Sequence, residues 1–316
     1  MDELATAAWA TADIMKSVLP SLYIGLFLAG LFANRGGVIG GRRLLPAVAR
    51  LTGLPPACAL SVVLAAGDRT AGMAAVALAK ERAGLSDGEV IAANLVAKAP
   101  SVVQFFVFSF IPIMAALYPP GVAVRFLTVY FASFVIISLI GVVYARLLSG
   151  GRPGNCPVLA DKPVMGWPAA VRAAVTGSWR PFVSMTAWMA AMSYVAMFFI
   201  KTGYLQRLTD YLPLLARLGL DAGLLPLAGT GLVSMIGGVA AVGAALRDGA
   251  VPAAMVVPLL LTVSLLHNFY DLFASSLPRA IGVFGRQLGV RVAAAGFVVT
   301  QVVMLLILVL TIKGIV

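Results

Sequence analysis

Two stretches of the chain share one pattern and decide its fold: LLPAVARLTG at residues 44–53 and YLPLLARLGL at residues 211–220. Each precedes a glycine-punctuated apolar segment, LPPACALSVVLAAGDRTAGMAAVALA at 54–79 and AGLLPLAGTGLVSMIGGVAAVGAAL at 222–246. Short, interrupted apolar pieces at matching positions of two copies are typical of transporters whose binding site lies between the repeats.

The spacing between the copies drifts only slightly along the chain. Pro46 and Pro213 lie 167 residues apart, whereas the ends of the next long apolar stretch, Gln104 and Asn268, lie 164 apart. Only a few gaps are needed to align the copies, so the pattern predicts an internal duplication.

The composition is that of an integral membrane protein. The chain is 61% hydrophobic and 11% charged with a mean hydropathy of +1.01, whereas a soluble domain carries about a quarter charged residues. In a membrane protein, the net charge of +11 indicates basic cytoplasmic loops rather than a nucleic-acid-binding surface. Two separated cysteines, one histidine and no Walker-type loop predict no enzyme, no metal and no cofactor, although a coupling proton or sodium ion is an option.

Long apolar segments predict an all-α protein with six membrane spans, at 17–33, 90–117, 121–148, 181–200, 252–276 and 290–312. The segments 54–66 and 70–79 are too short to cross at 1.5 Å per residue, so they predict a re-entrant helical hairpin. A second hairpin is expected over 222–246, with Gly237-Gly238 near its turn. Amphipathic pieces precede both hairpins, the second at 203–219.

The chain divides into a first repeat (1–148), a cytoplasmic linker (149–180) with a short helix near 168–176, and a second repeat (181–316). Three crossings per repeat, an odd number, make the two repeats inverted. The loops on one side of the membrane then contain fourteen basic residues, and those on the other side contain six. Arg279 is counted in the first group, in the loop between spans five and six. The positive-inside rule places both termini outside, in a multi-pass protein of the cell membrane.

The two hairpin regions, quoted above, resemble the gate (nucleoside recognition) repeats of ferrous-iron transporters, of concentrative nucleoside transporters and of spore maturation proteins A and B. The resemblance covers roughly 20–145 and 180–312 and implies the fold more than the substrate. The ferrous-iron branch usually shows a Cys beside the hairpin break. Here Cys58 lies early in the first half-helix, which argues against a simple transfer of iron chemistry.

The first candidate site is the hairpin break, Asp68, Arg69 and Thr70. Ionisable groups at membrane depth are costly and often mark a solute or ion site. The alternative is that Asp68 caps the second half-helix and Arg69 is its local counter-ion.

The second candidate site is a polar stripe on span two. Asn94, Lys98 and Ser101 share a helix face by their i, i+4, i+7 spacing, and Gln104 follows. Lys98 is expected to bind an anion or neutralise Asp68; the alternative is that it extends to the interface.

The third candidate site lies in the second copy, where Ser264, His267, Asn268 and Asp271 are spaced along one span. A His267–Asp271 pair at i, i+4 is suited to proton relay or cation binding, or to simple packing. Ser234 completes the set, although its small neighbours also suit close packing or a hinge.

These residues predict a secondary transporter that moves a small polar solute, anionic or nucleoside-like, by alternating access about a midplane site. The alternatives are a metal-ion permease of the ferrous-iron gate type and a non-transporting membrane assembly factor. The expected partners are membrane lipid and a small-molecule solute, with a homo-oligomer as a further option and no nucleic acid.

Overall fold

The computed structural model describes residues 41–67, 69–148, 165–201, 222–232 and 234–315, together with scattered helical positions between residues 5 and 31. Every regular element in these ranges is helical. The helices are α1 (Gly41–Thr52), α2 (Pro56–Ala65), α3 (Arg69–Ala83), α4 (Asp87–Val96), α5 (Lys98–Phe105), α6 (Ile111–Leu117), α7 (Pro120–Leu148), α8 (Trp167–Lys201), α9 (Leu225–Gly229), α10 (Met235–Arg247), α11 (Ala253–Asp271), α12 (Leu277–Phe284) and α13 (Arg286–Ile312).

Three of the described helical stretches are long and apolar enough to cross a membrane: Pro120–Leu148, Ala253–Phe284 and Arg286–Ile312. The number is four if the bent pair Leu45–Thr52 and Pro56–Ala65, which meet at 101°, counts as one span. The third, fifth and sixth predicted spans correspond to these helices. The first predicted span and the amphipathic piece at 203–219 lie largely or wholly outside the described residues.

The first apolar segment folds as a helical hairpin, with α2 packed against α3. Pro56 begins α2, a position where its missing N–H costs nothing. The two helices approach closely at Gly72, where an added Cβ would lie 2.8 Å from the Ser61 carbonyl oxygen and 2.8 Å from the Ala65 Cβ. The sequence therefore predicted the paired short helices correctly; their re-entrant placement stays a prediction.

The second predicted span is not one helix but a chain of short ones. Ser86 and Glu89 form a capping box that begins α4, and a turn at Ala97 separates α4 from α5. Ser138 of α7 bridges this turn, because its Oγ accepts from the Ala99 N–H at 2.9 Å and donates to the Val96 carbonyl at 3.0 Å. The break is thus supported by a hydroxyl from a neighbouring helix.

Two π-helical segments interrupt the bundle, one at Phe106–Phe110 and the other at Leu272–Ser276. Each precedes a helix with proline at its second position, Pro112 in α6 and Pro278 in α12. Proline clashes with the carbonyl four residues before it, and the wider π turn accommodates that clash. Both the π segments and the prolines recur after 166 residues.

Two boundaries differ from the sequence prediction. The predicted linker helix at 168–176 and the fourth predicted span are one continuous helix, α8. The predicted loop between spans five and six is mostly helix α12, so Arg279 lies in a helix and not in a loop. Only Gly285, with φ of 78°, separates α12 from α13, because glycine alone adopts this conformation without strain.

The second hairpin is unequal. Its first helix, α9, has five residues, whereas its second, α10, has thirteen. Ser234 is the N-cap of α10 and accepts from the Gly237 N–H at 3.0 Å. Gly237 and Gly238 therefore lie inside α10, and the predicted position of the break was a few residues too late.

Glycines set the separation of the central helices. A Cβ on Gly141 of α7 would lie 2.7 Å from the Leu95 Cβ and 2.7 Å from the Val96 nitrogen of α4. A Cβ on Gly289 of α13 would lie 2.5 Å from the Ala280 carbonyl oxygen of α12. These close approaches hold α4, α7, α12 and α13 together beside the polar residues described next.

Candidate functional site

An ion pair joins the first hairpin to the second half of the chain. Arg69 begins α3 directly after the hairpin turn, and Asp271 ends α11. The Arg69 Nη1 lies 3.9 Å from the Asp271 Oδ2, and the two side chains are 31% and 36% exposed. At that distance the contact is electrostatic rather than a hydrogen bond. Asp271 also accepts a hydrogen bond of 2.7 Å from the Ser276 hydroxyl.

The π segment explains the contact between Ser276 and Asp271. The two residues are five positions apart, a separation that in an α-helix places side chains on different faces. The i→i+5 turn of Leu272–Ser276 brings them together. Ser276 was not predicted as a site residue, because a regular α-helical period through this span would place it on a different face from Asp271.

Lys98 lies opposite the ion pair, at the start of α5. Among the described residues no carboxylate lies within ion-pairing distance of its ammonium group. The end of its side chain rests on Gly296 of α13, where an added Cβ would lie 3.7 Å from the Lys98 Cε and 3.9 Å from its Nζ. These distances are ordinary van der Waals contact, so they place the ammonium end of Lys98 against α13 at Gly296.

Two asparagines face the same space. Asn94 comes from α4 and Asn268 from α11. The amide nitrogen of each is buried and has no hydrogen-bond partner in the described part of the chain. Buried polar atoms are almost always paired, so two unpaired donors beside Lys98 mark a place where an acceptor belongs.

These groups line one cavity between the first hairpin and helices α4, α5, α11 and α13. Its polar lining residues are Arg69, Asn94, Lys98, Asn268, Asp271, Ser276 and Thr300. The space open to the centres of water molecules is about 40 Å³, which is enough for about three waters. A smaller cavity of about 10 Å³ adjoins it and is lined by Ser61, Ser101 and the shared residues Arg69, Asn94 and Lys98.

Five of the ten predicted site residues therefore meet in the cavity: Arg69, Asn94, Lys98, Asn268 and Asp271. Thr70 is buried beside it without lining it, and Ser234 serves as the cap of α10. Asp68 and the side chain of Gln104 lie outside the described residues.

The predicted pair of His267 and Asp271 is not formed. Asp271 instead interacts with Arg69 and Ser276. The His267 ring stacks on Tyr270 with ring centroids 5.9 Å apart, and its Nδ1 is buried with no partner in the described ranges. Spacing on one helix predicted this pair, but a cation from another helix is the partner of Asp271. The described residues include no group of three or more His, Cys, Asp or Glu arranged to hold a metal ion.

No family model, curated protein or solved structure matches the chain. The fold and the cavity define a helical membrane protein with polar and charged side chains gathered in a narrow internal space. Such a space is suited to bind a small polar group by charge and hydrogen bonds.

Proposed function

We propose that this chain is a multi-pass permease of the cell membrane that moves a small polar solute by alternating access. One observation carries the proposal: residues 69, 94 and 98 from the first predicted repeat and residues 268 and 271 from the second line one cavity. Binding sites of many transporters lie between repeats in this way.

The break of the first hairpin supports this function. Arg69 follows the turn that ends α2, and interrupted helices at membrane depth are tolerated where they line a cavity. A polar cavity at the turn favours a role in handling a solute over that of an assembly factor, for which a sealed, dry interface is expected.

The inverted repeat belongs to the same proposal. The recurrence of a π segment followed by proline after 166 residues supports a duplicated origin of the two halves. With an odd number of crossings per copy the halves have opposite orientations, and rocking one against the other exposes the cavity to each side in turn.

Uptake into proteoliposomes tests the function. The purified chain is reconstituted and the uptake of radiolabelled acetate, phosphate, uridine and ferrous iron is compared with that of empty liposomes. We expect at least one of these solutes to accumulate, and Asp271→Asn to slow its uptake at least tenfold. Asp87→Asn is the matched control, because Asp87 is also ion-paired but does not line the cavity. Equal uptake by empty and protein-containing liposomes for every solute overturns the proposal.

A further inference from the structure

Three donor groups that line the cavity have no acceptor among the described residues. The ammonium group of Lys98 has neither an ion-pair nor a hydrogen-bond partner among the described residues, and the amide nitrogens of Asn94 and Asn268 are buried without one. All three residues line the same space. Lys98 has three N–H donors and no acceptor, and each amide nitrogen has two donors. The unsatisfied groups thus all require an oxygen acceptor.

The charged residues that line the cavity also favour a negatively charged ligand. The described lining residues include two cations, Arg69 and Lys98, and one carboxylate, that of Asp271. Asp271 is already in contact with Arg69 and accepts from Ser276. Among the described residues, Lys98 is therefore the cation left without a counter-charge, and an anion is the ligand that would neutralise it.

The size of the space limits the ligand group. About 40 Å³ accommodates roughly three waters, a volume that suits a carboxylate or a similarly small oxyanion and not a nucleobase in this conformation. Gly296 lines this space next to the Lys98 ammonium group.

From these observations we infer that the cavity binds an oxyanion group, held by Lys98, Asn94 and Asn268 opposite the Arg69–Asp271 pair. An ammonium group forms charge-assisted hydrogen bonds to an anionic oxygen, and the two amides complete its coordination. The ligand class is a small carboxylate. The oxyanion would be the solute of the proposed permease, so this inference rests on the proposed function. Binding of the anion is nevertheless measurable without transport.

Thermal unfolding of the detergent-solubilised full chain tests this. Sodium acetate and sodium phosphate are titrated separately against sodium chloride at equal ionic strength. We expect acetate to raise Tm saturably, well beyond the effect of chloride. A larger saturable shift with phosphate still supports an oxyanion site and identifies a phosphate-type ligand. A Tm that responds equally to all three salts overturns the site.

Lys98→Met makes the test specific. The change removes the charge of Lys98 and keeps an unbranched side chain. Without anion, the variant is therefore expected to unfold at or above the wild-type Tm. The shift in Tm that acetate causes is expected to fall at least tenfold. Lys313→Met is the matched control, because Lys313 is exposed at the end of α13 and does not line the cavity; it should keep the full response. An acetate response that persists in Lys98→Met overturns the assignment. If the Lys98→Met protein does not fold, Asn94→Ala replaces it and is expected to reduce the acetate-dependent shift in Tm severalfold. An unchanged shift in Asn94→Ala would then overturn the assignment of the site.

Binding and transport separate the two proposals. Saturable acetate binding without uptake of any solute supports the oxyanion site and contradicts the permease. Uptake of uridine or ferrous iron by a protein that binds neither acetate nor phosphate supports the permease and contradicts the oxyanion site.

Discussion

Arg69 and Asp271 are 202 residues apart in the chain, yet their charged groups approach to 3.9 Å. The contact links the beginning of α3, next to the hairpin turn, with the end of α11, next to a π segment. Both elements interrupt regular helix, so this ion pair joins distant parts of the chain at two points where the helices are broken.

Loss of this pair should destabilise the fold. Asp271→Asn removes the described counter-charge of Arg69 and weakens the acceptor for Ser276. We expect a loss of about 1–3 kcal/mol in the free energy of unfolding, less than for a fully buried pair because each side chain is about one third exposed. Unfolding in detergent measures this loss. The double variant Arg69→Gln/Asp271→Asn should recover part of it, and strictly additive losses would contradict direct coupling.

The pH dependence of stability should report a second ion cluster, centred on Asp87, a residue that lies outside the predicted spans. Asp87 accepts a hydrogen bond of 2.7 Å from the Lys80 ammonium group and lies 3.3 Å from the Arg291 guanidinium. The hydrogen bond from Lys80 lowers the pKa of Asp87 below its ordinary value of 3.8; partial desolvation opposes the shift, and the charges of Lys80 and Arg291 add to it. Since the pKa is lowered in the folded state, the stabilisation is complete above the ordinary pKa and is lost as the pH falls through the folded value.

We therefore expect wild type to have a higher Tm than Asp87→Asn at neutral pH. The difference should shrink when the pH falls below 3.8. Thermal unfolding of both proteins across this range is the measurement. Asp248→Asn is the control, since Asp248 is exposed and forms no ion pair among the described residues. A Tm difference for Asp87→Asn that is constant with pH would exclude the carboxylate as its source.

The close approach of α4 and α7 makes Gly141 sensitive to a single methyl group. Gly141→Ala places a Cβ 2.7 Å from backbone and side-chain atoms of α4, so the helices must move apart. We expect a loss of about 1–3 kcal/mol, the usual cost of overpacking. Gly121→Ala is the control on the same helix, because nothing lies within 4 Å of a Cβ at that position. A Gly141→Ala protein as stable as Gly121→Ala would contradict the helix separation described here.

The bridge across the turn at Ala97 should also be measurable. Ser138→Ala removes the acceptor of the Ala99 N–H and the donor to the Val96 carbonyl. We expect a loss of about 1–2 kcal/mol in the free energy of unfolding, and faster amide hydrogen exchange at Ala99. Ser133→Ala serves as the comparison, since among the described residues the Ser133 hydroxyl bonds to a carbonyl of its own helix, that of Tyr130. Unchanged exchange at Ala99 would argue against the bridge.

Local spacing predicted part of the site. Asn94 and Lys98 lie four residues apart and both line the cavity, although the turn at Ala97 places them on two helices, α4 and α5. The two short helices of the first hairpin were also predicted, since thirteen residues or fewer are too short for a membrane span.

Contacts between distant elements could not be predicted in this way. Asp271 was expected to pair with His267 one turn away, but its partner Arg69 comes from another hairpin. Ser138 was not noticed, because a serine on an apolar helix has no pattern that indicates its partner. Gly296 was missed for a similar reason: a glycine in a span usually serves helix packing, whereas this one contacts the ammonium end of Lys98.

The π segment at Leu272–Ser276 also holds about one residue more per turn than the α-helix on either side of it. Each residue of a regular helix advances the side-chain direction by about 100°. Removing one residue between Asp271 and Ser276 would therefore let this segment close as a regular α-helix. Ser276 would then lie four positions from Asp271, still on the same face, and α12 would keep nearly its present direction against α13, whereas a deletion elsewhere in the helix would rotate every later side chain by about 100°.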